Sequence, residues 1–292
     1  MSSISFVFFG TGPLAESVLA SLVRADYTPK LLVTKPDSAQ GRNMLLTAPH
    51  IKTWCELKGI PISQPIKLDN EFYEELSKNN YDLFIVASYG KIIPDNILNI
   101  PKSGVLNVHP SLLPTYRGPS PIETALLNGE KELGISIMKL DSEMDHGPIL
   151  IQSKFEINKE ATAGTLEVEA GQLGGELLTQ VLEHYLEGTL IPQEQEHSKA
   201  TFCKKITKEL GEIKLNDSAH ETRNKFRALT PWPSLYFFIK HGEKNIRVKV
   251  TKVDLTAEID ENARAEEVIL SVTPEGKKEM DWESFKRGYL PC

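Results

Sequence analysis

Asn107 and His109 stand two residues apart in the run Leu-Asn-Val-His-Pro-Ser-Leu-Leu-Pro-Thr-Tyr-Arg-Gly, residues 106–118. In a strand, side chains at i and i+2 share a face, so these two project together while Val108 points away. An amide donor beside an imidazole suits attack on a carbonyl. The amide can hold the developing oxyanion and the imidazole can move protons. Such an imidazole works best when a carboxylate orients it, and Asp145, in the turn segment 141–147, is the candidate. Isolated Asn-x-His pairs are mostly idle polar strand ends, and loop aspartates mostly cap or turn. The position of this pair at the end of a strand, ahead of a proline-bounded loop, raises it above that background. His146 reads as an exposed loop residue rather than a second base.

The elements that must position these groups alternate in type. Residues 4–9, 30–34, 83–87 and 104–108 are apolar runs of strand length, and helical stretches ending at about Ala25, over 48–58 and over 72–79 separate them. Alternation of this kind predicts an α/β fold with a mostly parallel sheet covered by helices. Ligands of such sheets gather beyond the carboxyl ends of the strands, where Asn107 and His109 fall. Ser120-Pro-Ile-Glu123 has the spacing of a capping box with proline at the first helical position. Strands are then expected over 134–140 and 149–155, flanking the loop of Asp145. A longer helix follows, with Leu166, Leu173, Leu177, Val181, Leu182 and Tyr185 on its apolar face, ending at Gly188. The polar segment 189–203 reads as a linker. Beyond it the pattern changes to a basic helix near 218–228, a strand over 235–239, a turn, and a strand over 246–253. Ile246, Val248 and Val250 there alternate with Arg247, Lys249 and Thr251, as in a small antiparallel β domain. The domain reading is therefore 1–188, a linker over 189–203, and 204–292.

Composition bounds the function classes. Hydrophobic residues at 40% and charged residues at 25% describe an ordinary globular chain, against disordered or fibrous alternatives. No apolar run has the length of a membrane span, and residues 4–9 are too short for a signal-peptide core. The three cysteines, Cys55, Cys203 and Cys292, are too far apart for a zinc or disulfide framework. A reducing, cytoplasmic setting is expected, with no metal ion. Nothing demands a protein partner or a membrane. Net charge is −7, yet residues 201–252 hold 12 Lys and Arg against 5 Asp and Glu. A basic island in an acidic chain points to a polyanion, against the plain alternative of a solvated charged face. Its members include Lys204, Lys205, Lys208, Arg223, Lys225, Arg227, Arg247 and Lys249.

Two further motifs stay open at this level. Gly10-Thr-Gly12-Pro-Leu-Ala15 after the first strand matches a dinucleotide fingerprint, but also a tight strand-to-helix turn. Asp37 is only loosely placed to serve as the ribose-binding acid, and the turn reading is preferred. Tyr89-Gly90-Lys91-Ile92 follows a buried strand, either to line a pocket for a flat apolar ligand or as a plain connection.

Taken together, Asn107-Val-His-Pro-Ser-Leu-Leu-Pro114, Arg117-Gly118 and Asp145-x-Gly147-Pro-Ile-Leu150 resemble the 10-formyltetrahydrofolate-dependent formyltransferases. Gly41-Arg42, Pro231-Trp-Pro233 and Gly276-Lys-Lys278 make the chain most similar to the branch that formylates methionine carried on initiator tRNA. The resemblance covers nearly the whole sequence. It implies a Rossmann-like formyltransferase domain followed by a small OB-like β-barrel that helps hold the tRNA. It also implies catalytic roles for Asn107, His109 and Asp145. Folate contacts would come from Ser111, Leu112, Leu113 and Pro114, and from the loop holding Tyr89, Gly90 and Ile92; Arg42 would reach the tRNA acceptor end. Two departures stand out. Asn43, Met44 and Leu45 follow Arg42 where relatives often carry basic residues, and the C-terminal domain looks shortened. Rival readings are a formyltransferase for an amino sugar or other small amine, a nicotinamide-dependent dehydrogenase, and a non-catalytic RNA-binding protein.

Overall fold

Five-residue runs such as Phe6–Gly10 and Leu83–Ala87 carry no charge and are buried along their whole length, the pattern of strands covered on both faces. The structure, a computed structural model, describes residues 4–40 and 45–290. Its first elements are β1 (Phe6–Gly10), α1 (Gly12–Arg24), β2 (Leu31–Val33), the antiparallel pair β3 (Ser38–Gln40) and β4 (Leu45–Thr47), and α2 (His50–Leu57). Then come β5 (Ile62–Ser63), α3 (Asn70–Ser77), β6 (Leu83–Ala87), α4 (Asp95–Leu98) and β7 (Val105–His109). After α5 (Pro121–Leu127), the chain forms β8 (Glu132–Lys139), β9 (Ile149–Glu156) and the long α6 (Ala163–Leu186).

Seven of these strands make one sheet in the order β5-β2-β1-β6-β7-β8-β9. The pairs from β5 through β7 are parallel, and β8 runs antiparallel to β7. The chain leaves β1 toward β2 on one side and returns to β6 on the other, a topological switch whose crevice lies at the carboxyl ends. This is the expected α/β fold with a mostly parallel sheet.

The chain divides into two compact units. One comprises residues 1–119, 133–155 and 167–203, and the other comprises 120–132, 156–166 and 204–292. Residues 189–203 thus belong to the first unit.

The second unit adds α7 (Ala219–Ala228), β10 (Tyr236–His241), β11 (Lys244–Val253), α8 (Ala265–Val268), β12 (Ile269–Pro274), β13 (Met280–Asp281) and α9 (Trp282–Tyr289). Its antiparallel sheet has the order β10-β11-β12-β13, and the outer strands β10 and β13 are not paired with each other. It is an open four-stranded sheet among the described residues, where the resemblance implied a barrel. Trp282 and Phe285 of α9 stack edge-on against Phe237, with ring centroids 6.0 and 5.9 Å away. That packing covers the apolar face carrying Val248 and Val250. The capping box expected at residues 120–123 is not made: Ser120 precedes α5, but its hydroxyl donates to the Lys204 carbonyl at 2.5 Å. Proline at the first turn still opens that helix, as its missing N–H permits.

Candidate active site

The sheet aims β7 by burying one of its faces under α6. A Cβ on Gly174 would come within 2.5 Å of Val108 Cγ1, and one on Gly171 within 2.5 Å of the Leu14 carbonyl. These glycines let the helix approach the sheet with Val108 beneath it, so Asn107 and His109 face the other way. Both are buried, at 9% and 4% exposure. The Asn107 amide makes no hydrogen bond among the described residues, which leaves its N–H groups available to a ligand.

His109 is held on two sides. Its Nε2 donates to the Tyr116 carbonyl at 2.9 Å, and Nδ1 lies 3.6 Å from Asp145 Oδ1. The second spacing is a little beyond hydrogen-bond reach. Asp145 arrives on the connection between β8 and β9 with φ of 49°, a left-handed conformation that aspartate tolerates. Its other oxygen, Oδ2, accepts from the Gly118 N–H at 2.7 Å. Gly118 has φ of 118°, and a Cβ there would sit 2.7 Å from the Cys203 carbonyl, so a side chain is excluded twice. Asn107, His109 and Asp145 therefore converge. The groups that complete the arrangement, the Tyr116 carbonyl and the Gly118 N–H, are backbone atoms with no signature in residue type.

The other expected contact residues divide. Ser111 is buried, its hydroxyl donating to the Thr115 carbonyl at 2.6 Å, and its carbonyl accepts from Ser136 Oγ at 2.6 Å. The Leu113 N–H donates to Ser136 Oγ at 3.0 Å, and the Gln152 amide donates to the Leu113 carbonyl at 2.9 Å. Ser111 and Leu113 hold the loop's shape, while Leu112 and Pro114 keep surface to offer. Tyr89 does not line an opening. Its ring packs edge-on to Phe9 with centroids 5.4 Å apart, in a cluster with Ile93 and Ile97. Burial pushes its phenol up to about 12. Gly90, at φ of 70°, turns the chain so that Ile92 is left 86% exposed. Arg42 lies outside the described residues.

His146 is not a free loop residue: its Nδ1 is 2.8 Å from Asp141 Oδ2, and its ring stacks on His197 at 4.0 Å. Asp37 is occupied as well, accepting from Lys52 Nζ at 3.0 Å and Gln64 Nε2 at 2.8 Å. These bonds, that from Gln64 first, hold its carboxyl below the usual range. Thr11 Oγ1 lies 3.1 Å from Thr34 Oγ1, tying the turn at Gly10-Thr-Gly12 to the end of β2. The turn reading of that motif fits this geometry better than a nucleotide site.

In the second unit the basic island splits in two. Lys204, Lys205, Lys208, Arg247 and Lys249 are exposed. Arg223 and Arg227 are instead drawn inward. Arg223 Nε donates to the Asp254 carbonyl at 2.6 Å, and Arg227 donates to the Ala161 and Asn158 carbonyls at 2.9 and 3.0 Å. Both arginines were expected on a polyanion surface, and their guanidinium groups serve internal carbonyls. Arg247 lies over the Tyr236 ring at 3.8 Å, a cation–π interaction that stiffens the exposed face of β11. Among the described residues no helix is long and apolar enough to cross a membrane, and no group of three or more His, Cys, Asp or Glu side chains could hold a metal ion.

A buried imidazole between a carboxylate and a carbonyl, with an unengaged amide two residues away, defines a site for acyl-type group transfer. The chain belongs to the formyl transferase family: residues 3–182 match the Formyl transferase domain and residues 205–266 match Formyl transferase, C-terminal domain. It is 37% identical over 303 residues to the methionyl-tRNA formyltransferase of Carboxydothermus hydrogenoformans, spanning 98% of this chain and 96% of that protein. The methionyl-tRNA formyltransferase of Thermodesulfovibrio yellowstonii is 37% identical over 297 residues, with the same shares covered. Among solved structures, a Helicobacter canadensis N-formyltransferase in complex with folinic acid and dTDP-3-aminofucose superposes with a TM-score of 0.61 at 18% identity, covering 88% of this chain and 91% of that one. At that identity the likeness speaks for the fold alone.

Proposed function

We propose that this enzyme transfers the formyl group of 10-formyltetrahydrofolate to the α-amine of methionine on initiator tRNA. The observation that carries the reading is the convergence of Asn107, His109 and Asp145 at the carboxyl end of β7, in a chain that matches methionyl-tRNA formyltransferases along almost its full length.

The chemistry asks three things of these residues. A neutral amine must attack, negative charge must be held on the formyl oxygen, and the leaving nitrogen must receive a proton. Asn107 donates its free N–H to the oxygen, an interaction typically worth about 10²–10³ in rate. The attacking nitrogen forms its bond to the formyl carbon as the folate nitrogen departs, and one proton passes from the first nitrogen to the second. His109 carries that proton. Its Nε2 gives up the Tyr116 carbonyl for a substrate nitrogen while Asp145 keeps the ring oriented, a tightening on substrate binding that is common in such sites. Leu112, Pro114 and Ile92, which keep exposed surface near the strand ends, offer apolar contact to the pterin.

Holding tRNA is a separate task. Lys204, Lys205, Lys208, Arg247 and Lys249 are exposed, and phosphate contacts by such groups release counterions. The test is incubation with charged initiator tRNA and formylated folate, comparing the parent with His109→Ala. Formylmethionyl-tRNA from the parent and a loss of about 10²-fold or more in the variant are expected. Product from a free amino sugar without tRNA, or an unchanged rate in the variant, would overturn the reading.

A further inference from the structure

Segment 193–203 is bound edge to edge along the very loops that clamp His109 and Asp145. The Thr201 carbonyl accepts from the Arg117 N–H at 2.8 Å, Thr201 Oγ1 accepts from the Tyr116 N–H at 2.8 Å, and the Cys203 N–H donates to the Arg117 carbonyl at 2.8 Å. These bonds fix the peptide whose carbonyl, at Tyr116, meets His109 Nε2.

Side chains complete the hold. Arg117 is only 4% exposed, and its guanidinium donates to Gln195 Oε1 at 2.7 Å through Nη2 and at 3.2 Å through Nε. Nη2 also meets His197 Nδ1 at 2.9 Å. An arginine can only donate, so His197 Nδ1 is the acceptor there and its ring proton sits on Nε2. Gln195, 5% exposed, turns its other end to the loop of Asp145: Nε2 donates to the Asp145 carbonyl at 3.0 Å and the Gly147 carbonyl at 2.7 Å. Its oxygen takes the arginine and its two amide hydrogens take the two carbonyls, which leaves one orientation for the group. Glutamate would turn an oxygen toward both carbonyls, and an apolar side chain would leave them unpaired.

We propose that Gln195 is a positioning residue, held by Arg117 and His197, that sets the Asp145 carboxylate against His109, so that segment 193–203 is a working part of the catalytic unit rather than a passive connection. The proposal rests on the catalytic roles given above. Displacing a reacting group by about 1 Å can cost about 10²-fold in rate.

The experiment compares full-length parent, Gln195→Met and Gln195→Glu by steady-state kinetics with charged initiator tRNA and formylated folate. Both substitutions are then repeated in an Asp145→Asn background, with thermal melts alongside. A fall in kcat of about 10–100-fold is expected, with KM for either substrate within about twofold. In the Asp145→Asn background the same substitutions should cost less than about twofold, because what they misplace is already gone. Lys102→Ala, which removes the exposed ion pair with Asp82 outside this segment, is expected to leave kcat unchanged. A lowered Tm with kcat intact, or an equal loss in both backgrounds, would reduce Gln195 to a structural residue and overturn the proposal. If one substitution prevents folding, the other carries the same comparison. A parent that transfers no formyl group, or an active His109→Ala, would instead refute the reading of function.

Discussion

The two units treat charge in opposite ways. In the first, the polar groups of the candidate site are few, buried and individually placed: Asn107, His109, Arg117 and Gln195 are each 9% exposed or less. In the second, many basic side chains, Lys204, Lys205, Lys208, Arg247 and Lys249 among them, remain in solvent, while Arg223 and Arg227 turn inward and serve carbonyls of their own unit. A buried polar group has strong, directional interactions and a large cost when misplaced. Exposed cations interact weakly one by one and are screened by salt, but they sum along a polyanion. Under the proposed function, catalysis would draw on the first kind of site and holding tRNA on the second. Single substitutions should therefore be decisive in one unit and nearly silent in the other.

The sharpest way to break that contrast lies at β7. His109→Ala is expected to lower kcat by about 10²–10⁴ and Asn107→Ala by about 10²–10³, with little change in thermal stability, read by single-turnover formylation. A loss below tenfold in both would place the chemistry elsewhere. Next comes backbone geometry. Gly118→Ala forces a side chain into the left-handed region and against the Cys203 carbonyl, so it should lower both activity and melting temperature. Unaltered kinetics would mean that the Gly118 N–H does not hold Asp145 in the working enzyme.

In the second unit, neutralising Lys204, Lys205, Lys208, Arg247 and Lys249 together should weaken tRNA binding. The slope of log affinity against log salt should flatten by about 0.7–0.9 for each phosphate that the variant no longer neutralises, with kcat at saturating tRNA preserved. Arg227→Ala should behave differently, destabilising the unit by about 1–3 kcal/mol in urea melts through its unpaired carbonyls and leaving the salt slope alone. If Arg227→Ala changes the slope as much as a lysine substitution does, the division between exposed and inward cations fails.

The smallest expected effect concerns Asp82. It accepts from the Ser5 N–H at 3.0 Å and from Lys102 Nζ at 3.2 Å, and those partners, the backbone N–H first, hold its carboxyl below the usual range. A carboxyl lowered in the folded state stabilises above the unfolded value and loses that contribution as pH falls through the folded one. Asp82→Asn should therefore cost about 0.5 kcal/mol near neutrality, small because the pair is solvent-screened, and nothing in strong acid. Equal stability of the two chains at neutral pH would contradict this.

Much of the first unit could be read from residue order. The buried strands β1, β6, β7 and β8 lie within a residue or two of the apolar runs that announce them, because burial on both faces demands continuous hydrophobicity. β5 and β13, of two residues each, carry no period to detect. α9 escaped for a different reason. Its start is marked by Asp281, whose side chain accepts from the Ser284 N–H at 2.8 Å, but only eight residues follow, and they resemble a charged tail. Tyr89 misled because an aromatic after a strand looks the same whether it lines a pocket or fills a core. Arg223 and Arg227 misled because a count of charges ignores which way each side chain points.

Residue order alone determined the strand that carries Asn107 and His109 and the face they share, since both follow from a local alternation of period two. It determined the basic bias of residues 201–252 in the same local way. Tertiary structure alone decided what those groups meet. Asp145 lies 36 residues from His109 and Gln195 lies 78 from Arg117, and the Tyr116 carbonyl and Gly118 N–H belong to the backbone. Such partners are chosen by what reaches a buried polar atom once the sheet has closed, for a polar atom cut off from water must find a partner in the fold itself.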